Sequence, residues 1–126
     1  MLEQVINSES GNMYPVSYTQ IDILQKEILE CLEENNAENI QVIDLAGKSN
    51  IAEYIIIATG KVSKHTVALA DKIMCKVKDK DYIPFISCEG LRNGDWVLID
   101  LGDIIVHIFR SEVRELYNLE KMWSPA

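Results

Sequence analysis

Cysteine is scarce in this chain of 126 residues: Cys31, Cys75 and Cys88 lie far apart, are odd in number and include no CxxC pair. Such a set argues against a disulfide framework or a zinc site and fits a reducing compartment. Long apolar runs are lacking too, none approaching the roughly 18 residues that cross a bilayer. The start, MLEQVINSESG, has no basic residues followed by an apolar stretch, so it does not read as a secretory signal. A soluble, cytoplasmic protein with no membrane partner is expected. Histidine is limited to His65 and His107, with no HxxxH, HExxH or carboxylate-rich loop, so neither a metal nor a cofactor is expected. There is no GxSxG elbow and no cysteine beside a histidine, which leaves nucleophilic catalysis without a nucleophile. Basic charge is also short, 12 Lys and Arg against 20 Asp and Glu, for a net charge of −8. An acidic chain repels phosphate backbones, so sequence-specific nucleic-acid binding is not expected and a basic protein is the easier partner.

What is present suits one globular domain: 48% apolar and 25% charged residues, in a chain long enough to bury most of its apolar surface. The charge is uneven. Residues 1–40 hold eight acids and one base, 41–80 four acids and seven bases, and 81–126 eight acids and four bases. Direct contact with nucleic acid is therefore open only to the central segment used alone.

Residues 1–16 keep no period and read as an irregular arm, leaving 17–126 as the folded domain. Ser17-x-x-Gln20 resembles a capping box and opens a helix over 17–35, with Ile21, Leu24, Ile28, Cys31 and Leu32 as its buried stripe. A strand over 40–45 follows, then a turn, then the continuous apolar run 54–59, which predicts an interior strand buried on both faces. Ser63 is a plausible cap for a second helix, with Val67, Ala70, Ile73, Met74 and Val77 inward and Lys64, Lys72, Lys76, Lys78 and Lys80 outward. His65, near that helix start, is expected to be exposed and inert. A strand over 84–88 comes next, and the strand–helix–strand order predicts a right-handed crossover and a parallel pair between 54–59 and 84–88. The C-terminal segment from Ser111 forms one or two helical turns. The order α-β-β-α-β-β-β-α predicts an α/β (α+β) single domain, a mixed five-stranded sheet flanked by helices.

The most informative stretch is 89–109, EGLRNGDWVLIDLGDIIVHIF. Two runs rich in β-branched and aromatic residues flank Gly102-Asp103, a two-residue turn whose first position needs positive φ. That length pairs Leu101 with Ile104, Ile99 with Val106 and Val97 with Ile108, all on one wholly apolar face. The opposite face carries Trp96, Leu98 and Asp100 beside Ile105, His107 and Phe109. A carboxylate, an imidazole and an indole on one side of a sheet are an asymmetry that the fold does not require. His107 is expected to bond Asp100 or a nearby backbone group, or to join a contact surface.

Two functions compete. Thr59-Gly60-Lys61-Val62-Ser63 places amides at a helix start after a strand, where a phosphate could sit. It resembles the Gly-Ser entry of nucleotidyltransferases, but the alternating metal carboxylates of those enzymes are missing, since Asp100 and Asp103 sit three apart across a turn. The other reading is an interaction surface: Trp96, Asp100, His107 and Phe109 flanked by Glu89, Asp95 and Tyr117, suited to a basic protein. Its alternative is that the C-terminal helix covers this face and Trp96 packs inside.

The spans AENIQVIDLAGKSNIAEYIIIATG, SKHTVALADKI, EGLRNGDWVLIDLGDIIVHIF and RELYNLEKMW together resemble the ribosomal silencing factor, or Iojap-like, family, in unbroken order over 17–123. The resemblance implies a nucleotidyltransferase-like α/β shape without catalytic carboxylates, and no enzyme activity. It also implies docking on the large ribosomal subunit at ribosomal protein L fourteen, blocking the small subunit from joining and so repressing translation when nutrients are scarce. A homodimer off the ribosome is implied as well. The contact residues it implies are Glu89, Trp96, Asp100 and His107, with Asp103 and Tyr117 beside them.

Overall fold

In the computed structural model of the chain, residues 16–45, 52–83 and 86–117 are described, with side chains from residue 20 to residue 115 of these spans. The elements in order are α1 (Val16–Glu34), β1 (Glu38–Asp44), β2 (Tyr54–Gly60), α2 (Ser63–Val77), β3 (Ser87–Glu89), β4 (Trp96–Asp100), β5 (Ile104–Arg110) and α3 (Ser111–Tyr117). This is the expected α-β-β-α-β-β-β-α order. The irregular arm expected over 1–16 lies outside the described residues apart from Val16, which opens α1, and so does the C-terminal motif beyond Tyr117.

The hairpin takes the register its turn dictates. Gly102 has φ 88°, Leu101 N–H donates to the Ile104 carbonyl at 2.9 Å, and Ile99 pairs with Val106 and Val97 with Ile108. The five strands form one mixed sheet in the order β1-β2-β5-β4-β3, with β2 and β5 parallel and the other neighbours antiparallel. The parallel pair expected between the second and third strands is not there. β5 takes that place beside β2, and β3 is a three-residue edge strand bonded to β4. The crossover after α2 therefore skips two positions. Strand direction was legible in the strand–helix–strand pattern, but adjacency was decided by the longer, more apolar β5, which gives β2 a partner over its whole length.

Alternation divides the core between the two faces of the sheet. On one, Ile56, Ala58, Val97, Ile99, Ile104, Val106 and Ile108 meet Leu24, Ile28, Cys31 and Leu32 of α1 and Leu69, Ala70, Ile73 and Val77 of α2. On the other, Ile43, Leu45, Ile55, Ile57 and Phe109 form a smaller cluster with Trp96 and Val113 against it. β2 is thus buried on both sides, as its unbroken apolar run required. Each fully buried isoleucine contributes about 1.5–3 kcal/mol of transfer free energy, so these two layers dominate stability.

Backbone geometry at the ends of α1 and α2 fixes how the helices meet. Asn36, at φ 66°, ends α1 in a Schellman motif: Ala37 N–H donates to Leu32 O at 2.9 Å and Asn36 N–H to Glu33 O at 3.2 Å. Ser63 does not cap α2. Val62 is the N-cap residue, it makes no side-chain cap bond, and Ser63 Oγ donates to Asp95 Oδ1 at 3.3 Å. Nor is His65 inert. Its Nδ1 accepts the Lys61 N–H at 3.0 Å and its Nε2 meets Asn35 O at 2.8 Å, so the ring joins the end of α1 to the start of α2. Because Nδ1 accepts, Nε2 carries the proton and donates.

Candidate interaction site

The outer face of the hairpin, away from α1 and α2, holds the candidate residues. The β4–β5 register sets Trp96 opposite Phe109, Leu98 opposite His107 and Asp100 opposite Ile105, and the β3–β4 register sets Glu89 opposite Leu98. Trp96, His107 and Phe109 form an aromatic group. The Trp96 and Phe109 centroids are 4.9 Å apart, His107 stacks on Phe109 at 6.0 Å and 8°, and Trp96 lies 5.8 Å from His107. The expected bond between His107 and Asp100 is absent: Trp96 and Asp100 are equally diagonal to His107 across the sheet, and the Asp100 carboxylate is taken up by its own turn. Trp96 Nε1–H donates instead to His107 Nδ1 at 2.9 Å, while Asp100 Oδ1 accepts the Gly102 N–H at 2.9 Å and closes the hairpin turn. Burial drives the His107 pKa down from 6.5 to about 4, so the ring is neutral with its proton on Nε2.

The face is half covered. Phe109 is fully buried and Val113 of α3 packs on its cluster, yet Trp96, Leu98, Asp100, Ile105 and His107 remain half-buried and Glu89 is exposed. The two readings of Trp96, packed inside or presented outward, each hold for part of the ring. A shallow pocket of about 270 Å³ opens here, lined by Glu89, Gly90, Trp96 and Leu98. Glu89, Trp96, Asp100 and His107 therefore share one surface. Asp103 does not join them: it sits exposed at the hairpin turn, and its carbonyl accepts from Glu53 N–H at 2.8 Å and Tyr54 N–H at 3.1 Å. Tyr117 ends α3, and its side chain lies outside the described residues.

Leu98 and Arg114 were not singled out from the sequence as site residues. Leu98 was readable from the same alternation that placed Trp96. Arg114 was not: the residue is 9% exposed, and its guanidinium donates to Thr59 Oγ1 at 2.7 Å and to the carbonyl of Asn39, a residue at φ 49° in a bulge of β1. Nothing in the sequence marks that bulge.

The glycine turn that could have held a phosphate is filled. A Cβ on Gly60 would lie 2.4 Å from Thr66 Oγ1 and 2.9 Å from Thr66 N, so this glycine lets α2 press on the end of β2. Two of the nearby amides are engaged within the protein, Lys61 N–H with His65 Nδ1 and Thr66 N–H with Val62 O, each at 3.0 Å. Asp100 and Asp103 do not converge, and no metal-holding group of three His, Cys, Asp or Glu occurs among the described residues. Among the described residues, no helix is long and apolar enough to cross a membrane.

Comparison with known proteins adds an independent line. A family model described as "Ribosomal silencing factor during starvation" matches residues 18–126. The chain is 47% identical over 103 residues to the ribosomal silencing factor RsfS of Zymomonas mobilis, covering 81% of this chain and 76% of that one. It is 28% identical to the mouse protein named for mitochondrial assembly of the ribosomal large subunit, over 78% of this chain and 43% of the relative. A solved structure from Chromobacterium violaceum superposes with a TM-score of 0.77 at 30% identity, over 84% of this chain and 90% of that one.

Proposed function

We propose that this chain, which belongs to the ribosomal silencing factor family, represses translation by docking on the large ribosomal subunit at ribosomal protein L fourteen and obstructing the small subunit. Membership supports a ribosome-associated silencing role, and the name of the mouse relative supports the large subunit as the site of action. A cytoplasmic location, beside that ribosomal partner, is part of the same proposal. Self-association off the ribosome belongs to the same proposal and is read from sedimentation of the protein alone.

The observation that carries this reading is the acid-rimmed aromatic face of the hairpin. Glu89 and Asp100 flank Trp96, Leu98 and His107 on a sheet face that α3 leaves partly open. Rigid aromatic side chains beside carboxylates suit a basic protein surface, and the net charge of −8 favours such a partner over bare phosphate. The role is binding rather than catalysis. The nucleotidyltransferase-like alternative has little support where Gly60 is packed and Asp100 is bound to the turn.

Cosedimentation with purified large subunits tests the reading. The wild type should pellet with large subunits and reduce their joining to small subunits. Glu89→Arg and Leu98→Glu, which change exposed and half-buried positions, should abolish pelleting with an unchanged thermal melt. Trp96→Ala should abolish it as well, with some loss of stability. Asp100→Arg should also abolish pelleting, whereas Asp100→Asn keeps an acceptor for Gly102 and separates the turn from the surface charge. Wild-type binding retained in Glu89→Arg, Leu98→Glu and Trp96→Ala would place the docking surface elsewhere.

A further inference from the structure

Half of the basic residues of this acidic protein lie on α2 and its two flanks. Six lysines fall between residues 61 and 80, Lys61, Lys64, Lys72, Lys76, Lys78 and Lys80, against Asp71 and Asp79. The two ends of α2 differ in what surrounds these charges. Toward its C-terminus α1 supplies carboxylates: Lys80 Nζ lies 2.9 Å from Glu27 Oε1, and Lys72 and Lys76 line a groove with Glu34. Toward its N-terminus there is no such compensation. Lys61 and Lys64 are exposed and form no ion pair among the described residues, and neither does Arg92.

Loop 90–95 brings Arg92 to the two lysines. Gly94 is buried at φ 72°, so close to α2 that a Cβ there would lie 2.6 Å from the Ser63 carbonyl oxygen, and Ser63 Oγ also donates to Asp95. Asp95, three residues from Arg92 as Glu89 is, is already engaged by Arg110 Nε at 3.0 Å. Two exposed apolar residues, Val62 (57%) and Leu91 (38%), lie among the three cations. The same loop runs from Glu89 to Trp96, so the cationic cluster adjoins the proposed docking face.

We infer that Lys61, Lys64 and Arg92 hold phosphates of ribosomal RNA on the large subunit, beside the protein contact made by the Trp96 face. This rests on the docking reading above and names a second, chemically different contact for it. Three uncompensated cations on a chain of net charge −8 are too few to capture RNA from solution. Held next to a subunit surface by another contact they act at high local concentration, where a few phosphate contacts suffice. An acidic protein would match the cluster in sign as well, but a phosphate backbone carries the denser and more regular negative charge, and its contacts leave a salt dependence that can be read directly.

The test is binding of fluorescently labelled protein to purified large subunits across a potassium chloride series, for wild type and the triple variant Lys61→Gln, Lys64→Gln, Arg92→Gln. All three side chains are surface-exposed, so the melt of the variant should match wild type. Each phosphate neutralised adds roughly 0.7–0.9 to the slope of log affinity against log salt, so the variant should lose about two to three in slope and at least about tenfold in affinity at low salt. Unchanged slope and affinity would overturn this contact while leaving the docking face standing. Lost affinity at unchanged slope would assign the three side chains to a protein contact and overturn the inference too. Failure of the wild type itself to bind large subunits would overturn the docking reading, and this inference with it.

Discussion

The indole N–H of Trp96 donates to Nδ1 of His107 at 2.9 Å across the β4–β5 hairpin. The bond satisfies a donor and an acceptor that are both half removed from water, and it commits the imidazole to its neutral form with Nε2 protonated. Phe109 supports both rings from one side. The surface offered to a partner is therefore held in one arrangement before any partner arrives.

Stability should depend on pH through His107. Its folded pKa of about 4 lies below the unfolded value of 6.5, so between those limits the unfolded chain binds a proton that the fold excludes. The contribution is complete above pH 6.5 and is lost as pH falls toward 4, about 3 kcal/mol in total. Urea unfolding at pH 7, 6, 5 and 4.5 should show this decline, and His107→Phe should flatten it. An unchanged slope in that variant would assign the decline to carboxylates.

The two faces of β5 should answer differently to truncation. Ile108 is fully buried between the sheet and the helices, and Ile108→Ala should cost about 2–5 kcal/mol by denaturant unfolding. Ile105 is half-buried on the outer face, and Ile105→Ala should cost less than about 1 kcal/mol. Equal costs would mean that the outer face is sealed in the free protein.

His65 should behave as a structural joint. His65→Ala removes a bond to Lys61 N–H and a bond to Asn35 O, and should cost about 1–3 kcal/mol in urea while leaving ribosome binding at native pH unchanged. A variant as stable as wild type would show that water replaces both bonds.

Much of this was legible in the sequence because the period of two and the turn chemistry agree over 96–109. Gly102 needs positive φ, and a two-residue turn leaves one register that keeps Val97, Ile99, Val106 and Ile108 together. Three things were not legible, each for the same reason. Adjacency of β2 to β5, the contact of His65 with Asn35 and the burial of Arg114 beneath the β1 bulge all join residues at least thirty positions apart. Local pattern constrains which face a side chain takes, but not which distant segment meets it. The aromatic face was found by alternation alone, and its internal bonding went to Trp96 rather than Asp100 because Asp100 is drawn into its own turn.

The central strand pairing also orders events in time. Ile99 and Val106 close a loop of seven residues, whereas Tyr54 and Ile104, partners across β2 and β5, lie fifty apart. Closing the longer loop costs about 2 kcal/mol more in chain entropy. A hairpin forms in microseconds, so β4 and β5 can pair while the rest of the chain is still searching, and the parallel joint with β2 comes later and limits the rate. The outer face that carries Trp96 is thus assembled before the inner face acquires its cover of helices, and until then both sides of the hairpin are open to association with other chains.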